Sequence, residues 1–100
     1  MVKAKVHAAI TRFALQLPGA HEDFPWGERV ARVNKKGFVF LGRDPGGLSV
    51  KLPESGPEVL ALPGAEPTGY GLGKSGWVSI DYERARVPVD VLCAWIQESY

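Results

Sequence analysis

The sequence predicts an α+β domain in two layers, a sandwich in which an antiparallel sheet carries helices on one face. Three observations lead to this fold class. Apolar residues recur at helical spacing near both ends of the chain, residues 48–52 and 77–81 alternate between aliphatic and other side chains, and Gly or Pro separates the predicted elements. Because these strands alternate rather than being apolar throughout, we expect one sheet face to pack on helices and the other to stay open.

Length and composition limit the possibilities further. One hundred residues suffice for a single domain with one core, so we expect one domain over residues 1–100. The net charge is +1, which argues against a strongly basic nucleic-acid-binding domain but leaves a local basic patch open. The single cysteine, Cys93, excludes an internal disulfide and fits a reducing compartment. No segment resembles a signal peptide or a membrane span, so we expect a cytoplasmic protein without a membrane partner.

The N-terminal half is predicted to contain one helix and three strands. Residues 3–17 form an amphipathic helix that ends before Pro18 and Gly19. Residues 20–27, which include the motif Pro25, Trp26, Gly27, are interpreted as a loop held to the core by Phe24 or Trp26. Residues 29–33, 37–41 and 48–52 follow as a meander of strands. Residues 38–41 are apolar on both faces, so that strand is either buried on both faces or exposes a contact surface on its outer face.

The C-terminal half is predicted to alternate helices with strands. Ser55 and Glu58 have the spacing of a capping box at the start of a short helix that Pro63 and Gly64 end. A glycine-rich connection, with room for one short strand around Tyr70, leads to a central strand within residues 73–82. A last helix runs from residue 87 or 88 to the C-terminus. The predicted order is therefore α-β3-α-β2-α.

Alternation also predicts which side chains lie on the open sheet face. If the aliphatic residues of each strand face the helices, the residues between them face away. The predicted open face consists of Arg32, Ser49, Lys51, Trp77, Ser79 and Asp81.

None of the apparent catalytic, metal-binding or cofactor-binding motifs lies in the sequence context that its chemistry requires. Residues 71–76 match the dinucleotide pattern G-x-G-x-x-G, but that pattern requires a helix after it and here a strand follows. His7 and His21 lack neighbouring ligands at metal-binding spacing. No nucleophile and base can be paired, so we expect a non-enzymatic protein without a cofactor.

Short motifs along the whole chain resemble one family of small proteins. They are Leu17-Pro18-Gly19-Ala20, the segment from Phe24 to Gly27, Lys51 in its strand, Tyr70 followed by Lys74 and Trp77, and the closing Ser99-Tyr100. In this order they are similar to the MmcQ/YjbR family, a domain of unknown function. The resemblance implies a CyaY-like sandwich in the order α-β3-α-β2-α. It also implies DNA binding, since members carry that label from a proposed double-wing arrangement.

Three hypotheses for function remain open at this point. In the first, six cations bind the phosphates of DNA while Trp77 stacks on bases; these are Arg32, Lys35, Lys36, Arg43, Lys51 and Lys74. In the second, the open face around Trp77 binds a protein or a second copy of the chain. In the third, a small molecule binds between residues 24–27 and Lys74. A purely structural Trp77, lying flat under Lys and Arg stems, is the alternative to all three.

Overall fold

The computed structural model describes residues 2–24, 28–42, 46–69 and 75–100. In these residues the helices are α1 (Val2–Gln16), α2 (Gly56–Leu60), α3 (Tyr82–Ala85) and α4 (Val89–Ser99). The strands are β1 (His21–Asp23), β2 (Arg29–Val33), β3 (Lys36–Gly42), β4 (Gly47–Lys51), β5 (Ala65–Pro67) and β6 (Trp77–Asp81). They form one sheet in the order β1-β2-β3-β4-β6-β5, with every neighbouring pair antiparallel. The predicted α+β class with an antiparallel sheet is confirmed.

The core lies between one face of the sheet and the helices. Ile10 and Ala14 of α1, with Leu92 and Ile96 of α4, are completely buried in it. Burying each of the three larger side chains stabilises the fold by about 1.5–3 kcal/mol. The strands contribute the aliphatic members of their alternation, such as Val50. None of the helices in the described ranges is long and apolar enough to cross a membrane.

The apolar run of residues 38–41 is explained by an irregular pairing of β3 with β2. Ala31 pairs with Val39 whereas Arg32 pairs with Gly37, which leaves Phe38 as an extra residue between them. A bulge of this kind lets two consecutive side chains turn toward the same side. Phe38 therefore joins Val39 in the core, while Phe40 stays on the other face of the sheet.

Two local predictions about the strands are corrected. Residues 20–27 were predicted as a loop, but residues 21–23 form β1 because they pair in antiparallel register with β2. Phe24 does not anchor this segment to the core, since it is 51% exposed and lies under the guanidinium of Arg29. The strand predicted to be central, β6, is next to the edge of the sheet, where β5 covers its outer side. Tyr70 lies outside the described residues.

The predicted capping box at Ser55 is wrong. Ser55 precedes α2, but its backbone is already helical and its side chain does not cap that helix. Its hydroxyl instead donates to Oε1 of Glu98 at 2.6 Å, and Oε2 of Glu98 accepts from the backbone N–H groups of Glu54 and Ser55 at 3.0 Å. A carboxylate of α4 therefore occupies the place where the capping box was expected.

Candidate functional site

The open face of the sheet is the candidate site. We define it as the side of β3, β4, β6 and β5 that points away from the helices. Residues paired across neighbouring strands share a face, so the register groups its side chains into rows. The middle row consists of Phe40, Ser49, Ser79 and Glu66. The row beside it consists of Lys51, Trp77 and Thr68.

An aromatic pair lies at the centre of this face. Phe40 belongs to β3 and Trp77 to β6, two strands separated by β4, so their backbones are about 9–10 Å apart. Their ring centroids are nevertheless 5.2 Å apart, with the planes at 82° to each other. Both rings must therefore lean over β4, where Ser49 is small enough to leave room beneath them. Edge-to-face pairs of this kind contribute about 0.5–1.5 kcal/mol beyond the burial of their area.

Hydroxyl groups form a connected chain next to the aromatic pair. The Oγ atoms of Ser49 and Ser79 are 2.8 Å apart, and Oγ1 of Thr68 lies 2.9 Å from Oγ of Ser79. Each of these part-buried side chains thus has a hydrogen-bond partner inside the molecule. They are satisfied structural contacts between strands, and none is activated by a neighbouring base in the described residues.

Charges of both signs surround the aromatic pair. Lys51 and Glu66 are exposed on neighbouring rows. Asp81 accepts hydrogen bonds from the N–H groups of Glu83 and Arg84 at 3.1 Å, so its carboxylate caps α3. On the same side of the sheet, at its β1–β2 end, Arg32 forms an ion pair with Asp23 at 2.9 Å. The described part of this side of the sheet therefore has no positive excess.

The predicted phosphate-binding residues do not form one cluster in the described residues. Lys35 and Lys36 are exposed at the tip of the β2–β3 hairpin, where Asn34 and Lys35 form the turn. Arg32, in the β2 strand of this hairpin, already forms an ion pair with Asp23. Arg43 and Lys74 lie outside the described residues, as do Pro25, Trp26 and Gly27 of the loop motif.

A groove of about 250 Å³ lies next to Trp77. It lies between α2 and the ends of β4, β5 and β6, and it is lined by three prolines, by Trp77 and by Leu60. Leu60 is 39% exposed, so part of its side chain faces the solvent at the groove. The groove thus lies on the side of the sheet that α2 covers, because its lining includes the core residues Leu52 and Val78.

Three groups with shifted pKa values, His7, Tyr82 and Cys93, lie in the helical layer. The phenol oxygen of Tyr82 accepts from the N–H of Gly46 at 2.7 Å and lies 3.4 Å from Nδ1 of His7. Burial lowers the pKa of His7, and the nearby charge of Arg29 lowers it further. Burial raises the pKa of Tyr82, whereas the hydrogen bond from the N–H of Gly46 lowers it. The negative charges of Asp81 and Glu83 raise this pKa further. Both groups are therefore neutral at neutral pH and link α1 to the loop before β4.

Within the described ranges, the helical layer contains neither an activated thiol nor a set of metal ligands. Burial raises the pKa of the Cys93 thiol, and the charge of Asp90 raises it further, so the reactive thiolate is disfavoured. Among the described residues, no three His, Cys, Asp or Glu side chains come together as a metal site. The described open face therefore presents aromatic, hydroxyl and charged groups.

The sequence profile of one protein family, described as YjbR, matches residues 15–100. The chain belongs to the YjbR family. The resemblance inferred from the short motifs is thereby confirmed. A solved crystal structure of a protein from Pseudomonas syringae, a target of the Northeast Structural Genomics Consortium, superposes on this YjbR-family chain with a TM-score of 0.67. The two are 18% identical over 89% of this chain and 91% of that chain, which shows a shared fold alone. No curated protein matches the chain at a significant level.

The last two motif residues of this YjbR-family chain have clear structural contacts. The hydroxyl of Ser99 donates to the carbonyl oxygen of Phe38 and accepts from the N–H of Lys51 at 2.9 Å. It therefore bridges β3 and β4 just beyond their last paired residues. The hydroxyl of Tyr100 donates to the carbonyl of Pro18, and its ring meets Phe38 edge-on. These two residues fasten α4 to the sheet and to the end of α1.

Sequence reasoning missed Phe40, Thr68 and Glu66 as members of the open face. The sequence did contain a signal for Phe40. Residues 38–41 are apolar on both faces of their strand, and an exposed contact surface was one of the two explanations for that pattern. Thr68 and Glu66 were missed because no strand was predicted at residues 65–67. The other predicted members, Ser49, Lys51, Trp77, Ser79 and Asp81, alternate with the buried residues as expected.

Proposed function

We propose that this YjbR-family chain is a non-enzymatic binding module whose partner is a protein and whose contact surface is the open face around Trp77. The Phe40–Trp77 pair carries the proposal. It presents partly exposed aromatic surface on the face that the core does not use. Aromatic residues in the middle of a patch, surrounded by polar groups, are the usual anchors of protein interfaces.

The surroundings of the pair favour a protein over a nucleic acid. A DNA-binding surface requires a surplus of cations to replace counterions around the phosphates. On the described part of the open side, Arg32 is already paired with Asp23, and Lys51 is balanced by Glu66.

DNA binding remains the second candidate, on one observation. Lys51 is exposed directly beside Trp77, which combines a phosphate contact with a stacking surface. Lys35 and Lys36 at the exposed hairpin tip would add contacts if a duplex lay along the sheet. In that case Lys51→Ala lowers the affinity, and the affinity falls steeply as salt increases.

Site-specific photo-crosslinking in cells tests the proposal. A benzophenone amino acid replaces exposed Glu66 on the open face, and a matched variant carries it at exposed Gln97 on the helical side. Protein adducts from position 66 and not from position 97 are expected. The adduct partner is then purified, and Trp77→Ala should weaken its binding at least tenfold in a variant that circular dichroism shows to be folded at the assay temperature.

Each remaining outcome contradicts the proposal. Adducts with nucleic acid alone support the DNA alternative, which an amide NMR titration with a generic duplex at low and physiological salt would then locate. Equal adducts from positions 66 and 97 would show non-specific proximity. A purified partner that binds the Trp77→Ala variant as tightly as the wild type would remove Trp77 from the interface.

A further inference from the structure

We infer that residues 98–100, at the end of α4, are a conformational latch in which the hydroxyl of Ser99 holds β3 and β4 apart. While the latch is closed, this hydroxyl separates the two strands at their Lys51 end. When the latch opens, a direct backbone hydrogen bond forms between the strands. The device goes beyond the proposed function, because it belongs to the sheet itself and needs no partner to operate.

The pairing of β3 with β4 stops one step short of a bond that its own register provides. The strands are joined through two residue pairs, Val39 with Val50 and Phe40 with Ser49. One further step in this register sets Phe38 opposite Lys51. Since Phe38 is the extra residue of the bulge against β2, its backbone departs from the regular ladder at this point.

The N–H of Lys51 points in the direction that this bond requires. The neighbouring N–H, that of Leu52, donates to the carbonyl of Gly76 just before β6. Successive N–H groups of a strand point to opposite sides, so the N–H of Lys51 points toward β3. The carbonyl of Phe38 points into the same gap, because it accepts from Ser99 there.

The hydroxyl of Ser99 occupies the place of the missing bond. It accepts from the N–H of Lys51 at 2.9 Å and donates to the carbonyl oxygen of Phe38, the same donor and acceptor that a direct bond would join. A nitrogen and an oxygen bridged by one hydroxyl are about 4.5 Å apart, whereas a direct N–H···O bond spans about 2.9 Å. Closing the gap therefore moves the two backbones together by about 1.5 Å.

The balance between the two arrangements depends on this hydroxyl. The latched arrangement prevails in the wild type, because Ser99 forms two hydrogen bonds where direct closure forms one. Without the hydroxyl, the N–H of Lys51 and the carbonyl of Phe38 both lose their partner. Phe38 is buried, which limits the access of water to the gap. The two backbone groups are therefore expected to pair with each other.

The neighbours of Ser99 hold the latch in place. Glu98 accepts from the backbone N–H groups that precede α2, and the hydroxyl of Tyr100 donates to the carbonyl of Pro18. The last completely buried residue of α4 is Ile96, one turn earlier. Opening the latch thus breaks polar contacts and the ring contact of Tyr100, while Ile96 stays in the core.

The latch acts on the open face from the opposite side of the sheet. α4 belongs to the helical layer, whereas Lys51 is exposed on the open face and pairs with Trp77. When β4 moves toward β3, Lys51 and the paired Trp77 move toward Phe40. The end of α4 therefore sets the spacing of the aromatic pair that lies on the other side of the sheet.

NMR of the isotopically labelled full chain tests the latch, because scalar coupling across a hydrogen bond is detected only where donor and acceptor are joined directly. In the wild type, the amide nitrogen of Lys51 should show no coupling to the carbonyl carbon of Phe38. In Ser99→Ala this coupling should appear, as strong as those of the bonds between β4 and β6 in the same spectrum. The control Gln97→Ala, at an exposed position of α4, should behave as the wild type.

A second variant loosens the latch and keeps the hydroxyl of Ser99. Tyr100→Phe removes the bond to Pro18, so the amide hydrogen of Lys51 should exchange with solvent at least about threefold faster. If Ser99→Ala does not fold, this variant decides, and an unchanged exchange rate overturns the inference.

Three further results would also overturn it. A folded Ser99→Ala chain without the coupling would show that water replaces the hydroxyl and that the strands have no closed arrangement. Coupling already present in the wild type would show that Ser99 does not separate the strands. Coupling that appears equally in Gln97→Ala would assign the closure to a general loosening of α4.

Discussion

The carboxylate of Glu98 joins two elements that are far apart in the sequence, and its removal tests how they are held. It accepts three hydrogen bonds, from the hydroxyl and N–H of Ser55 and from the N–H of Glu54, which is 44 residues away. Glu98→Ala leaves these donors at the start of α2 without their acceptor. All three donors belong to residues just before Gly56, the first residue of α2, so the carboxylate acts as a helix cap.

The expected cost follows from the number and exposure of these bonds. A hydrogen bond to a charged group contributes about 1.5–3 kcal/mol when it is buried. The two N–H bonds involve exposed or part-buried groups, so water replaces part of what is lost. Loss of a helix cap costs about 0.5–2 kcal/mol, and we expect about 1–2 kcal/mol for Glu98→Ala. That corresponds to a fall in melting temperature of roughly 4–16 °C for a domain of this size.

The pH dependence distinguishes a charged cap from simple packing. Burial raises the pKa of Glu98, but the bonds from Ser55 and Glu54 lower it by more, so the net shift is downward from the usual 4.5. A carboxyl group with a lowered pKa stabilises the fold above its unfolded pKa, and that stability is lost as the pH falls through the folded pKa. The difference between the wild type and Glu98→Gln should therefore shrink from pH 6 to pH 3.

Urea denaturation followed by tryptophan fluorescence measures these differences. Gln97→Ala is the matched control, because Gln97 is the exposed neighbour of Glu98 on the same helix, and it should change the free energy of unfolding by less than about 0.5 kcal/mol. A wild-type advantage over Glu98→Gln that stays constant from pH 6 to pH 3 would refute the charged cap. So would a Glu98→Ala variant as stable as the control.

Two further predictions concern a turn and a partly buried histidine. Gly64 has a φ of +85°, and an added Cβ would lie 2.9 Å from Cβ of Arg84, so Gly64→Ala should cost about 2 kcal/mol in urea denaturation. Gly69→Ala is its control, since nothing lies within 4 Å of its added Cβ; an equal loss in both variants would contradict the contact. The lowered pKa of His7 means that the unfolded chain binds its proton more readily, so thermal stability should fall as the pH drops below about 6.5. His7→Gln should flatten the melting curve against pH between 7 and 5, and an unchanged slope would assign it to another group.

Most elements could be predicted from the sequence because their signals are local. The period of two in β4 and β6 depends only on the extended backbone, and it placed Lys51 and Trp77 on the open face. The helical period and the flanking Pro and Gly residues located α1 and α4 to within one or two residues. The short β1 lacked such a signal, since all three of its residues are polar and exposed.

The remaining features depend on which elements become neighbours, and only the tertiary structure decided them. Ser55 had the spacing of a local cap, yet its hydroxyl donates to a carboxylate from α4, so a long-range contact took the place of the local one. The bulge at Phe38 arises from pairing with β2, which cannot be seen in β3 alone. The aromatic pair on the open face likewise required β3 and β6 to flank β4. Local periodicity thus determined the faces of the strands, whereas the order of strands determined which side chains meet on them.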